Sequence, residues 1–178
     1  MLYYSFLTIL LFLIFFYRKP TLKIIQYNED IVYSPGYGTI MDITYNKDNT
    51  IRIPIFLSPF DIHYQIYPIS GILTNILYDN TGKYELAYKV NKSNKNEKAI
   101  HTILNKHGEF KIFQIAGTLV RRISYFNKPI TKINTGEFLG MIHFGSRVDI
   151  IIPNANRFNL SVKKGDKVSG IETILGYY

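Results

Sequence analysis

Ile51-Arg52-Ile53-Pro54-Ile55-Phe56-Leu57 is a short run rich in β-branched and aromatic residues, with Asp48-Asn49 before it and Ser58-Pro59 after it. Apolar runs of this length between turn-forming residues read as strands. The same composition recurs at Ile31-Val32-Tyr33, Thr39 to Tyr45, Ile69 to Tyr78 and Tyr84 to Val90, punctuated by Gly, Pro, Asn and Asp. That spacing is expected of an all-β sandwich or barrel. Phe110 to Tyr125 extends the pattern as one bent strand or two, with Gly117 near its middle permitting close backbone approach. Met141 to Pro153 reads as two short strands meeting at Gly145-Ser146. After residue 20 no amphipathic helix of three turns and no internal repeat is evident.

Two further stretches complete the architecture. Asn91 to Glu97 is polar and without periodicity, and reads as an exposed loop rather than a binding motif. The tail Val162-Lys163-Lys164-Gly165-Asp166-Lys167-Val168 looks like the V-x-x-G-D-x-V hairpin of biotinyl and lipoyl-like domains, with Gly-Asp in a tight turn. It lacks the displayed, modifiable Lys of a carrier domain, so Lys167 is read as an ordinary surface residue and the tail as scaffold. The expected fold is mainly β, a sandwich or barrel-like domain closed by this hairpin and preceded by an N-terminal hydrophobic helix.

At 178 residues the chain makes one domain with an appendage, and 47% hydrophobic residues suffice for a core. The absence of Cys excludes disulfide frameworks, thiolate nucleophiles and Cys-ligated zinc. His101 and His107 lie in a polar segment with nothing to supply a third ligand, so no metal site is expected. A formal charge of +8 calls for an anionic partner. The basic residues are scattered rather than gathered on one helix or an aromatic-interleaved sheet, which argues against nucleic acid. An anionic lipid surface fits better, at about 1 kcal/mol for each Lys or Arg near it.

Met1 to Tyr17 carries no charged side chain, and Arg18-Lys19 follow at once. As a helix this stretch would reach roughly 25 Å, marginal against a hydrocarbon core of about 30 Å. A signal peptide would need a basic start and a small-residue cleavage site, and neither is present. The expectation is an uncleaved membrane anchor over residues 1–19 and a domain over 20–178, placed on the cytoplasmic side by the positive flank.

Gly136-Glu137, Gly140-Met141-Ile142 and Phe144-Gly145-Ser146-Arg147-Val148-Asp149 together resemble the self-cleavage region of the short phosphatidylserine decarboxylases. The likeness runs through most of the chain after Phe15. Tyr17-Arg18-Lys19-Pro20 looks like F-R-x-P, Ser34-Pro35-Gly36-Tyr37-Gly38 aligns with S-P-A-D-G, and Phe56 to His63 matches F-L-S-P-F-D-V-H. Pro68 to Gly71, Gln114 to Gly117 and Arg121-Arg122-Ile123 match P-V-S-G, Q-I-A-G and R-R-I in family order.

The resemblance implies a proenzyme cut between Gly145 and Ser146 into a β chain, 1–145, and an α chain, 146–178, with Ser146 becoming a pyruvoyl group. Gly145, lacking a Cβ, lets the Ser146 hydroxyl approach its carbonyl in strained geometry. Ester formation, elimination and loss of ammonia would leave the ketone. In the family that ketone takes phosphatidylserine as a Schiff base and releases carbon dioxide, giving phosphatidylethanolamine. His63, at the S-P-F-D-x-H position, is the implied proton donor and acceptor. Asp61 reads as a turn former and Asp149 as support for the cleavage loop. Arg121, Arg122 and Arg147 read either as lipid phosphate or carboxylate ligands or as surface ion pairs. Relatives tend to assemble as dimers, which implies a homodimer of cleaved protomers.

Three positions depart from the family pattern. Tyr37 replaces the Asp that, in the family, helps a histidine draw the serine proton, and Tyr is a poor base at neutral pH. His143 stands where Arg is common and is a candidate substitute base, although residues 143 and 146 face opposite sides of a regular strand. Ile66 replaces a polar or basic residue. Two classes therefore stay open: a self-processed membrane-associated decarboxylase, favoured by Gly145-Ser146 and His63, and an unprocessed relative that binds lipid or protein, favoured by Tyr37.

Overall fold

The computed structural model describes residues 2–22, 28–82, 85–87, 90–118, 122–144 and 146–178. The chain opens with α1 (Leu2–Phe16) and continues through β1 (Ile31–Tyr33), β2 (Gly38–Ile40), β3 (Thr44–Tyr45), β4 (Ile51–Leu57), β5 (Tyr64–Ile66) and β6 (Gly71–Asp79). A short α2 (Val90–Ser93) precedes β7 (Lys98–Asn105), β8 (Gly108–Ile115), β9 (Ile123–Tyr125), β10 (Thr131–Ile133), β11 (Phe138–Ile142) and β12 (Ser146–Ile152). A 3₁₀ turn at Ala155–Arg157 leads to β13 (Asn159–Leu160), β14 (Lys167–Val168) and β15 (Ile174–Tyr177).

The fold is mainly β, as the sequence predicts, and the described residues form three sheets with no closed barrel among them. The largest runs β10-β6-β7-β8-β12-β4-β2-β14, with β3 also on β4. Smaller sheets run β1-β15-β13 and β5-β11-β9. At the centre of the large sheet β12 is flanked by β4, with Ser146 opposite Leu57, and by β8, with Arg147 opposite Ile115. Ile51, Ile53, Ile55 and Leu57 of β4 and Val148, Ile150 and Ile152 of β12 are fully buried in one core. Each such side chain contributes roughly 1.5–3 kcal/mol on burial, which makes the Ser146 strand among the best fixed in the molecule.

Several stretches differ from expectation for identifiable reasons. Thr39 to Tyr45 breaks into β2 and β3. Pro54 turns its carbonyl to the Met41 N–H at 2.8 Å, so its missing donor falls on the flank of β4 where the chain bends away. Within Tyr84 to Val90, residues 85–87 are not strand and Val90 opens α2, while residues 83, 84, 88 and 89 lie outside the described set. Phe110 to Tyr125 is two strands, β8 and β9. The Gly165-Asp166 turn forms, with Gly165 at φ +91° and the Asp166 carboxylate accepting from the Lys163 N–H at 2.9 Å. Its flanking strands pair with β15 and β2 rather than with each other.

The stretch 91–97 is not the expected exposed loop. Ser93, Asn96 and Glu97 are buried. Asn96 bonds the backbone of residue 85 through both ends of its amide and also donates to the Ala116 carbonyl. Buried polar groups must be satisfied, and here they fasten α2 to the large sheet.

Candidate active site

Ser146 opens β12, and the strand beside it, β4, ends at Leu57 in the turn Ser58–Asp61. The Asp61 carboxylate accepts from the Ser58 N–H at 2.8 Å, the turn-forming role read from the sequence. This turn delivers His63, which is wholly buried. His63 Nδ1 lies 2.9 Å from the Asp61 carbonyl oxygen. A carbonyl only accepts, so Nδ1 carries the proton and Nε2 presents its lone pair. The His63 carbonyl in turn accepts from Ile142 N–H at 3.2 Å and Gln65 Nε2 at 2.8 Å.

His63 Nε2 and Ser146 Oγ are both buried and have no hydrogen-bond partner among the described residues. Unpaired buried polar atoms are rare and costly, about 1–3 kcal/mol each. A nitrogen lone pair and a serine hydroxyl are, by chemical type, a base and a proton source. Burial is the main force on His63 and lowers its pKa to about 4, against weaker opposition from the Asp61 carbonyl and carboxylate. Arg18 and His143 add smaller effects in the same direction as burial. The imidazole is therefore neutral at pH 7.

Phe16, the last residue of α1, covers this site. It is fully buried, its ring 4.2 Å from that of His63 and stacked on Phe144 at 4.2 Å with a 6° interplanar angle. Phe144 has φ +54°, in the left-handed region. A bulky residue there costs on the order of 1–2 kcal/mol, and Phe144 sits two residues before Ser146.

His143 is turned elsewhere. Its Nδ1 is 3.1 Å from the Tyr17 hydroxyl, its Nε2 is 3.1 Å from Ser124 Oγ, and its N–H donates to the Arg122 carbonyl at 2.9 Å. Both ring nitrogens are engaged, and neither is engaged with Ser146.

The expected exposed role of Arg147 is corrected. Its guanidinium is fully buried and donates from Nε to Asp149 Oδ1 at 2.7 Å, from Nη1 to Ser93 Oγ at 2.6 Å and from Nη2 to Asn94 Oδ1 at 2.6 Å. Arg52 completes the cluster on Asp149, its Nε 2.9 Å from Oδ2. These bonds hold β12 immediately behind Ser146, and Asp149 takes part in them by accepting from Arg147 and Arg52. Arg122 is exposed, while Arg121 and Gly145 lie outside the described residues.

Tyr37 is half-buried, and desolvation followed by the Glu172 charge raises its pKa to about 12. It packs in a small cluster with Ile66, Tyr33 and Ile171. Gly170 separates the two departures, since a Cβ there would meet Tyr37 Cε2 at 2.7 Å and Ile66 Cδ1 at 3.0 Å. His101 does not lie in a polar segment: it is fully buried on β7, with Nε2 3.0 Å from Gln114 Oε1. His107 stacks on Tyr178 at 3.9 Å and contacts Asp30. Among the described residues no three potential metal ligands are grouped.

The sequence reading missed Phe16, Ser93 and Asn94. An apolar residue in an apolar helix and two polar residues in a polar run carry no local signal. Only their contacts with residues 63, 144 and 147 distinguish them.

The sequence profile of the phosphatidylserine decarboxylase family matches residues 9–176. The chain is 35% identical over 173 residues to the phosphatidylserine decarboxylase proenzyme of Amoebophilus asiaticus, covering 93% of this chain and 75% of that one. It is 36% identical over 176 residues to the corresponding proenzyme of Chlorobaculum parvum, covering 96% and 80%. A putative archaetidylserine decarboxylase proenzyme of Methanococcoides burtonii is 35% identical over 175 residues, covering 98% and 79%.

Proposed function

The chain belongs to the phosphatidylserine decarboxylase family, and from that premise we propose that it is a proenzyme that cuts itself at Gly145-Ser146 and decarboxylates phosphatidylserine to phosphatidylethanolamine. The observation that carries this reading is the pair of buried, unpartnered atoms Ser146 Oγ and His63 Nε2. His63 Nε2 takes the hydroxyl proton, with its tautomer fixed by the Asp61 carbonyl rather than by a carboxylate at position 37. Ser146 Oγ attacks the Gly145 carbonyl and exchanges the amide for an ester. Elimination releases residues 1–145 as a carboxylate, and hydrolysis of the terminal enamine on residue 146 releases ammonia.

The residues present fit a pyruvoyl group at position 146. The strand behind it is pinned by Arg147 and Asp149, and the site is roofed by apolar rings that exclude water. The ketone supplies a sink for the electron pair left when carbon dioxide departs. His63, neutral and partner-free at Nε2, is the proton carrier of the finished site.

No helix among the described residues is long and apolar enough to cross a membrane. The 15 residues of α1 reach about 22 Å against a core of about 30 Å. Tyr3, Tyr4, Phe6, Ile9 and Ile14 are exposed on it, and we infer that this uncharged, apolar helix anchors the domain against the membrane, next to the lipid substrate.

Intact mass beside a Ser146→Ala control tests the reading. Recovery of residues 146–178, lighter by one ammonia than the serine-started peptide, with decarboxylation of phosphatidylserine vesicles, is expected. A single uncut chain under every condition would leave an unprocessed lipid or protein binder.

A further inference from the structure

Phe16 is the only residue of α1 whose described side chain is fully buried; its neighbours Phe15 and Tyr17 are exposed. A helix that served only to meet lipid would have no need to commit one ring to the protein. This ring packs against two residues of the proposed cleavage chemistry: His63, whose buried Nε2 has no hydrogen-bond partner among the described residues, and Phe144, two residues before Ser146.

We propose that Phe16 is a positioning residue for self-cleavage, which holds Phe144 in its left-handed conformation by stacking and shields His63 from water. The inference deepens the reading given above and rests on it. The stack is near parallel, and Phe12 and Tyr17 complete the enclosure of the Phe144 ring at 6.3 and 6.2 Å. A β-turn or extended alternative for Phe144 would forfeit these contacts, so the ring cluster offsets the backbone strain at φ +54°. Tyr17 grips the adjacent residue in the same way, its hydroxyl meeting His143 Nδ1 at 3.1 Å. The end of α1 thus fixes residues 143 and 144 together, and the chain enters the scissile bond in one geometry. Geometric commitment of this kind is worth large factors in intramolecular reactions.

Shielding of His63 gives the second consequence. Its depressed pKa comes first from burial, and Phe16 is the ring packed on it. The charged and titratable groups acting on His63 are Asp61, Arg18 and His143, and all three are retained in the variants that replace Phe16.

The test uses the full chain made by cell-free synthesis, with cleavage followed by intact mass across pH for wild type, Phe16→Ala and Phe16→Leu. Wild type is expected to keep its rate down to the acid limb near pH 4. Phe16→Ala is expected to cut at least about tenfold more slowly, with the acid limb displaced upward toward the ordinary histidine range. Phe16→Leu keeps apolar bulk without the stack and should fall between the two. A cut at wild-type rate with an unmoved acid limb in both variants would overturn the proposal. Should Phe16→Ala fail to fold, as read by its thermal transition, Phe16→Leu decides alone on the same two readouts. An uncut wild type would instead overturn the parent reading.

Discussion

Arg147 Nη1 donates to Ser93 Oγ at 2.6 Å, joining residues 54 apart in sequence and on opposite sides of the Gly145-Ser146 bond. If that bond is cut as proposed, Arg147 becomes the second residue of the C-terminal fragment, and Asn94, which also accepts from its guanidinium, belongs to the N-terminal fragment. Backbone pairing points the same way: β12 lies between β4 and β8, β14 pairs with β2, and β15 pairs with β1. The short fragment is woven into the long one, so cutting need not release it.

A double Ser93→Ala/Asn94→Ala variant, made in the uncut Ser146→Ala chain, should therefore be markedly less stable. Removing both acceptors takes two hydrogen bonds from a buried guanidinium, and losses of about 2–4 kcal/mol are typical of such changes. Urea unfolding with an unchanged m-value is the measurement. A loss below about 0.5 kcal/mol, the scale of an ordinary surface substitution, would show that the cluster does not fasten β12.

The engagement of both His143 ring nitrogens by Tyr17 and Ser124 leaves this residue no free lone pair for Ser146. His143→Gln, which retains a donor and an acceptor, should cut at close to the wild-type rate. His63→Gln should abolish cutting, a loss of at least about a hundredfold for a missing general base. The two time courses, read by intact mass, should diverge widely. Equal loss in both would return His143 to the mechanism.

Acid sensitivity follows from two buried histidines. Burial lowers the pKa of both His63 and His101 to about 4, with the Gln114 bond opposing it at His101. The unfolded chain binds these protons near pH 6.5, so between 6.5 and 4 it binds more protons than the folded one. Their contribution to stability is complete above about pH 6.5 and is lost as pH falls toward 4. At pH 5 the loss is about 2 kcal/mol for each histidine. Unfolding free energies of the Ser146→Ala chain at pH 7 and pH 5 should differ accordingly, and His101→Gln should remove about half of the difference. A stability independent of pH over this range would contradict the burial of these neutral rings.

Much of this was legible in the sequence, and the limit has a physical cause. The strands β4, β6 and β12 announce themselves through local composition, and Ser146 and His63 through motifs of adjacent residues. What eluded local reading depends on long-range contact. Arg147 looks exposed because arginine usually is, and its bonds to Asp149, Ser93 and Asn94, residues no local reading connects, help make its burial tolerable. The run 91–97 looks like solvated loop by composition, yet Ser93 and Asn96 are buried against partners distant in sequence, Arg147 and Ala116. Phe16 is indistinguishable from the other apolar residues of α1 until its ring is seen against His63 and Phe144.

Tyr37 was the strongest sequence argument against cleavage, and its surroundings give it a different role. Its hydroxyl proton is held more firmly than usual, burial and Glu172 both raising its pKa, so it is no base. Its ring instead fills the space over Gly170 beside Ile66, so the two departures from the family pattern pack as one apolar unit. The Asp61 carbonyl holds the His63 Nδ1 proton, and in the proposed cleavage it takes the orienting role of a carboxylate at position 37. Tyr37→Phe should therefore cut at the wild-type rate, while Gly170→Ala, whose Cβ collides with both side chains, should lose about 1–3 kcal/mol of stability. The Phe variant isolates the hydroxyl, because it leaves the packing intact. If it failed to cut while remaining folded, the phenol would be a participant in the chemistry and the Asp61 carbonyl would not suffice.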